Sequence, residues 1–208
     1  MRARDNPFAV DHLHALRYRG GAEAVPALWM RAVGLRTSAL VGAKGHGKTT
    51  LLLELAAHAR SLGHRMVWIQ LRRDARRLSA AHRENLAALD ARARSAAPHA
   101  DPAAIEARDV VCIDGADLLP RLDRWWLRRR TRTAIVLGTL HAPGWLPTLA
   151  ALTTSPALLD ELVGELTGAS VAKLAGDRDA LFARHAGNLR AALRELYDTV
   201  ASAPERAL

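Results

Sequence analysis

The stretch Gly42-Ala43-Lys44-Gly45-His46-Gly47-Lys48-Thr49 constrains this chain more than any other. It stands between Thr37-Ser38-Ala39-Leu40-Val41, a short apolar run that stops at a glycine, and a segment from Lys48 to Leu62. In that segment leucines and alanines recur at helical spacing, and Gly63 supplies a plausible C′ stop. Strand, glycine-rich turn and helix in this order open a βαβ unit. The stretch also fits G-x-x-x-x-G-K-[ST] without a mismatch. Its spacing has a chemical reason. Glycines let the backbone wrap closely, so that successive N–H groups point inward at phosphates. The helix that follows adds the positive end of its dipole. Lys48 is expected to reach the β- and γ-phosphates, and the Thr49 hydroxyl to ligate Mg²⁺. Gly42, Ala43, Lys44, Gly45, His46, Gly47, Lys48, Thr49 and Thr50 are therefore the expected nucleotide-binding residues, His46 through its backbone N–H.

Strands and helices continue to alternate downstream. Met66-Val67-Trp68-Ile69, ending at Gln70, reads as a second strand, and Arg72 to about Ala97 as a long helix stopped by Pro98 and Pro102. Asp109-Val110-Val111-Cys112-Ile113-Asp114 is a continuous apolar run of the kind buried on both faces. Arg121 to Arg130 reads as a short helix and Thr133 to Thr139 as a fourth strand. Leu146 to Leu152 is a weaker fifth, since Pro147 stands near its start. After Thr154 the character changes: Pro156 to Leu166, Arg178 to His185 and Asn188 to Ala201 all read as helical, with no strand between them. The expected fold is α/β, a P-loop NTPase with a parallel sheet flanked by helices and a small C-terminal helical lid. The boundary falls between a core at 1–154 and a lid at 155–208.

A chain of 208 residues buries on the order of 70% of its unfolded surface, so neither disulfides nor a structural metal are needed to fold it. With half its residues hydrophobic and a quarter charged, it is not a disordered chain. No apolar run approaches the roughly 20 residues that span a bilayer, and no apolar stretch follows the basic N-terminus as in a secretory signal. The single cysteine, Cys112, fits a reducing cytoplasm. The net charge of +9 and a pI near 11.0 suggest a polyanion partner. Of the 30 basic residues only Lys44, Lys48 and Lys173 are lysines, however, and such an arginine skew also follows from a GC-rich genome. A nucleic-acid footprint and a merely basic surface both remain open.

Asp114 ends the third strand, where a Walker-B aspartate holds Mg²⁺. Many P-loop ATPases place a catalytic glutamate directly after it; here that position is Gly115, and the nearest carboxylate is Asp117. Asp117 either polarises water or caps the helix that follows.

With these residues in hand, the chain resembles the AAA+ superfamily of ATPases, nearest to the compact origin-recognition and transposition-type members. The resemblance runs from Asn6 to about Tyr197. Asn6-Pro7-Phe8 is similar to a family segment that packs beside the adenine. The strand ending at Thr139 is similar to the one carrying sensor 1, a role that falls to Thr139 or His141. Gly187-Asn188-Leu189-Arg190 resembles the sensor-2 arrangement, which implies that Arg190 reaches the γ-phosphate from the lid. Arg128, Arg129, Arg130 and Arg132 stand where an arginine finger for a neighbouring subunit is conceivable, or form a solvated basic face. Trp125 and Trp126 beside them read as core or interface aromatics.

The resemblance implies an ATP- and Mg²⁺-binding protein, a slow ATPase coupling γ-phosphate sensing to lid closure and contact with a protein, nucleic-acid or homo-oligomeric partner. Its catalytic set would be Asp114, Asp117, Thr139 and Arg190, and its metal ligands Thr49 and Asp114. Two alternatives stand beside it: a non-hydrolysing ATP-dependent adaptor on DNA or protein, and a small-molecule P-loop kinase. The kinase is disfavoured because Gln70-Leu71-Arg72-Arg73 offers no substrate-binding carboxylate after the second strand. No Asn-Lys-x-Asp stretch supports a GTPase.

Overall fold

The computed structural model describes residues 6–9, 12, 16–19, 24–95 and 109–202. The prolines expected to stop the long helix, Pro98 and Pro102, lie outside them. The chain divides into two compact units, one of residues 22–42 and 51–151 and the other of residues 1–21, 43–50 and 152–208.

The first unit is built on five strands, β1 (Thr37–Val41), β2 (Arg65–Gln70), β3 (Asp109–Asp114), β4 (Ile135–Leu140) and β5 (Thr148–Ala151). They form one parallel sheet in the order β2-β3-β4-β1-β5. The helices of this part of the chain are α1 (Val25–Leu35), α2 (Lys48–Ser61), α3 (Ala80–Ser95) and α4 (Arg121–Arg130). Parallel strands need covering on both faces, which is why β3 and β4 are apolar throughout. On one face Val41, Ile69, Val111, Ile113, Val136 and Leu140 pack with Leu86 and Leu89 of α3 and Leu127 of α4. The alternate residues Leu40, Val110, Cys112, Ile135 and Leu137 point the other way and are equally buried. α1 adjoins β1, β4 and β5, and the Arg31 guanidinium donates to the Leu149 carbonyl at 2.7 Å.

From β2 through β3 and β4 to β5 the sheet is built in one direction, whereas β1 leads back the other way to β2. The order thus reverses beside β1. In open parallel sheets, ligands occupy the crevice at the carboxyl ends of the strands at such a reversal. Gly42 leaves the sheet at that edge, its N–H donating to Leu140 O at 3.1 Å.

Two expectations are corrected here. The helix after β2 begins at Ala80 and not at Arg72. Residues 72–75 instead make a tight turn closed by an antiparallel bridge between Arg72 and Ala75. The chain needs that turn because Leu71 and Leu78 are both buried in the core. Ser79 then starts the helix, its hydroxyl accepting the His82 N–H at 3.2 Å while His82 Nδ1 accepts the Ser79 N–H at 3.3 Å. This is a capping box with histidine in the place of the usual glutamate. The fifth strand is shorter than Leu146–Leu152 because Pro147 has no N–H to donate; its carbonyl accepts from Ala39 at 2.8 Å instead.

The second unit carries α5 (Pro156–Thr167), α6 (Val171–Ala175), α7 (Arg178–Arg184) and α8 (Leu189–Ser202). The Ser155 hydroxyl caps α5 and the Asp177 carboxylate caps α7. Leu159, Val163, Val171, Leu181, Leu193 and Leu196 form its core, together with Phe8. Among the described residues no helix is long and apolar enough to cross a membrane.

Candidate functional site

In the helical unit, the loop ahead of Lys48 turns through Gly45 at φ +82° and Gly47 at φ +77°, the left-handed region where a Cβ is disfavoured. Space excludes a side chain at Gly45 as well: its Cβ would stand 1.9 Å from Asn188 Oδ1. Inside the loop the Ala43 carbonyl accepts the Lys48 ammonium at 2.7 Å and the His46 N–H at 3.4 Å. Ala43, Lys44 and Thr49 are exposed, and Gly45 to Lys48 and Thr50 half-buried.

The His46 side chain does more than the sequence suggested. Its Nδ1 lies 2.9 Å from Leu152 O, which only accepts, so Nδ1 carries a proton. Its Nε2 lies 3.4 Å from Thr154 Oγ1, whose own proton goes to Gly187 O at 2.8 Å. Next to Gly187, Asn188 Oδ1 accepts the Ala191 N–H at 3.2 Å and so caps α8. Arg190 lies in the first turn of that helix, exposed. Loop and α8 meet within this unit through the packing of Asn188 on Gly45, while His46 ties the loop to Leu152 and Thr154 ties its own segment to Gly187. No motif announces that link, since it depends on residues more than 100 positions apart.

Asn6 is buried; its amide donates to Tyr197 O at 3.0 Å and its Oδ1 accepts the Phe8 N–H at 3.0 Å. Phe8 is 2% exposed among the helices. Its ring is therefore a core aromatic, with no face left for an adenine.

In the sheet unit, Asp114 ends β3 and Thr139 lies near the end of β4. The buried Thr139 hydroxyl donates to Asp114 Oδ1 at 2.8 Å and accepts the Gly115 N–H at 2.8 Å. Its single proton is spent on the carboxylate, so in this arrangement Thr139 positions Asp114. Gly115 has φ +83°, and a Cβ there would sit 3.0 Å from the Leu71 carbonyl. A glutamate after Asp114 would be strained by this backbone and crowded against the Leu71 carbonyl.

Asp117 follows in a 3₁₀ turn, Ala116–Leu118, which Trp145 holds by donating its indole N–H to Ala116 O at 3.1 Å. Asp117 does not cap α4, which has Pro120 at its N-cap and no side-chain cap bond. Instead Asp117 Oδ2 lies 2.9 Å from His141 Nδ1, while Oδ1 is buried and meets no hydrogen-bond donor among the described residues. A buried carboxylate oxygen left without a donor is a costly arrangement that calls for a reason. His141 is thus committed to Asp117. Gln70, exposed at the end of β2, pairs in register with Asp114. Trp126 packs against the core, whereas Trp125 is 58% exposed.

Among the described residues no three His, Cys, Asp or Glu side chains gather as a metal site. The sequence matches no protein-family model and no curated protein.

Proposed function

We propose that this chain binds ATP with Mg²⁺ and hydrolyses it slowly, as an AAA+-like ATPase in which sensing of the γ-phosphate drives lid closure and partner contact. One observation carries the reading: a glycine-turned loop ending in Lys48 and Thr49 leaves the carboxyl edge of a parallel sheet at β1, where the strand order reverses. Lys48 exchanges the Ala43 carbonyl for phosphate oxygens. The Thr49 hydroxyl and the Asp114 carboxylate are assigned to Mg²⁺, an ion that takes few protein oxygens and completes its shell with phosphate and water. When bound, the ion neutralises charge on the phosphates. Thr139 keeps the Asp114 carboxylate in one orientation. Asp117, held through Oδ2 by His141, is assigned to orient the attacking water, and Arg190 to contact the γ-phosphate.

A second reading, an ATP-loaded adaptor that does not turn over, is favoured by the geometry of Gly115, whose left-handed backbone disfavours a glutamate in its usual place. Titration with a fluorescent ATP analogue and a phosphate-release assay decide between them. Lys48→Ala is expected to weaken binding tenfold or more, since a hydrogen bond to a charged group contributes about 1.5–3 kcal/mol. Unchanged affinity in a folded variant overturns nucleotide binding at this loop. Tight binding without phosphate release favours the adaptor.

A further inference from the structure

We propose that the outer face of α4, together with the arginine-lined cavity beside it, binds single-stranded nucleic acid. Helical spacing places Arg121, Leu122, Trp125, Arg128 and Arg129 on one side of α4, opposite the buried Asp123 and Leu127. Leu122 is 75% and Trp125 58% exposed. The Arg129 guanidinium lies over the Trp125 ring at 5.0 Å from its centroid. Beside this face a cavity of about 230 Å³ is lined by Arg36, Arg128, Arg132, Thr37, Trp145 and Leu146.

Charge selects the partner. Three arginines of this unit meet carboxylates: Arg65 and Arg92 meet Asp109, and Arg83 meets Asp123. Arg36, Arg121, Arg128, Arg129 and Arg132 have no carboxylate partner among the described residues, and none lines the cavity. Arg128 is instead held by the Trp145 carbonyl at 2.8 Å and the Trp145 ring, and Arg36 donates to Arg132 O at 3.3 Å. Arg36 also stands at φ +60°, a strained conformation for a residue with a Cβ. Uncompensated guanidinium groups around a cavity suit phosphates, which they bind as a planar fork. A solvated basic face has no use for an indole left in water. Stacking of an unpaired base on Trp125 gives it one, and base stacking beside a basic groove is how single strands are held without sequence reading. The cavity lies where β1 and β4 begin, the opposite edge from Gly42, so the proposal stands without the nucleotide-binding reading.

The test is fluorescence anisotropy of a labelled 20-mer oligothymidylate, and of a duplex of equal length, with the full chain over a salt series. The single strand is expected to bind more tightly than the duplex, with affinity falling as salt rises. Trp125→Ala should weaken single-strand binding about 5- to 150-fold, the range for one lost stack, with the salt slope unchanged. Trp125→Phe should recover most of the loss. Replacing Arg128, Arg129 and Arg132 by glutamine should flatten the slope by about 2, at about 0.7 per single-strand phosphate contact. Absence of binding at low salt, preference for the duplex, or a salt slope unmoved in the folded triple variant would each overturn the proposal.

Discussion

Thr139 has one proton, and it goes to Asp114. Thr139→Val keeps the shape while leaving both the carboxylate and the Gly115 N–H without this partner. A loss of about 1–3 kcal/mol in urea unfolding is expected, with recovery in Thr139→Ser. If the proposed chemistry holds, the valine variant also releases phosphate more slowly while binding ATP normally. Asp117→Asn is the sharper probe of turnover. It keeps the size of the side chain and removes the charge that orients water, so residual hydrolysis should vanish with ATP affinity intact. Turnover that survives it moves the role to Gln70. Cys112 makes a different prediction. Burial pushes its thiol from the ordinary 9.0 up to about 12, against a weaker pull from Arg60. The folded state therefore keeps the neutral thiol after the unfolded chain has ionised. The stability this contributes is complete below pH 9 and is lost as pH rises from 9 towards 12, by up to about 1.4 kcal/mol per pH unit. Comparing urea midpoints at pH 8 and 10 should show a steeper decline in the parent than in Cys112→Ala.

Elements show where backbone geometry limits chemistry. Restoring the usual glutamate by Gly115→Glu should not create a fast ATPase. The left-handed φ costs a side-chain-bearing residue roughly 1–2 kcal/mol, before any shift forced by the Leu71 carbonyl. A lowered melting temperature without a gain in phosphate release is the expected result. The same geometry explains what could be read in the sequence. β1, β3 and α4 were legible to the residue, because a continuous apolar run ending in Gly42, another ending in Asp114-Gly115, and a start after Pro120 are strong local signals. α1 was missed. Its N-cap, Ala24, offers no side-chain bond, and only Pro26 and the spacing of Leu28, Trp29 and Ala32 mark it. Residues 72–79 read as helix because alanine and arginine favour helix locally, yet burying both Leu71 and Leu78 overrides that preference. Ser79 was the overlooked signal.

For the molecule as a whole, the linear pattern carried the five-stranded parallel sheet with its helices, while the partnerships around the candidate site residues depended on folding. Asp114 with Thr139 and Asp117 with His141 are pairs made by neighbouring strand ends, and His46 with the Leu152 carbonyl joins distant parts of the helical unit. Sequence periodicity says which residues face inward, never which two polar groups meet. A ligand that binds only the folded chain reports on the whole molecule through its melting temperature. At a hundred times its dissociation constant, Mg²⁺-ATP should add about 2.7 kcal/mol, or roughly 5–11 °C at this chain length. Lys48→Ala, binding tenfold or more weakly, should gain no more than about 1.4 kcal/mol at the same concentration, about half the parent's shift or less. ADP lacks the group Arg190 is proposed to touch, so it should bind more weakly than ATP and raise the melting temperature less at equal concentration. Arg190 is exposed in the first turn of α8, and its removal should leave the unliganded melting temperature nearly unchanged. In Arg190→Ala the ATP and ADP shifts should therefore converge on the smaller value. A difference between the two nucleotides that persists undiminished in this variant would remove Arg190 from γ-phosphate sensing.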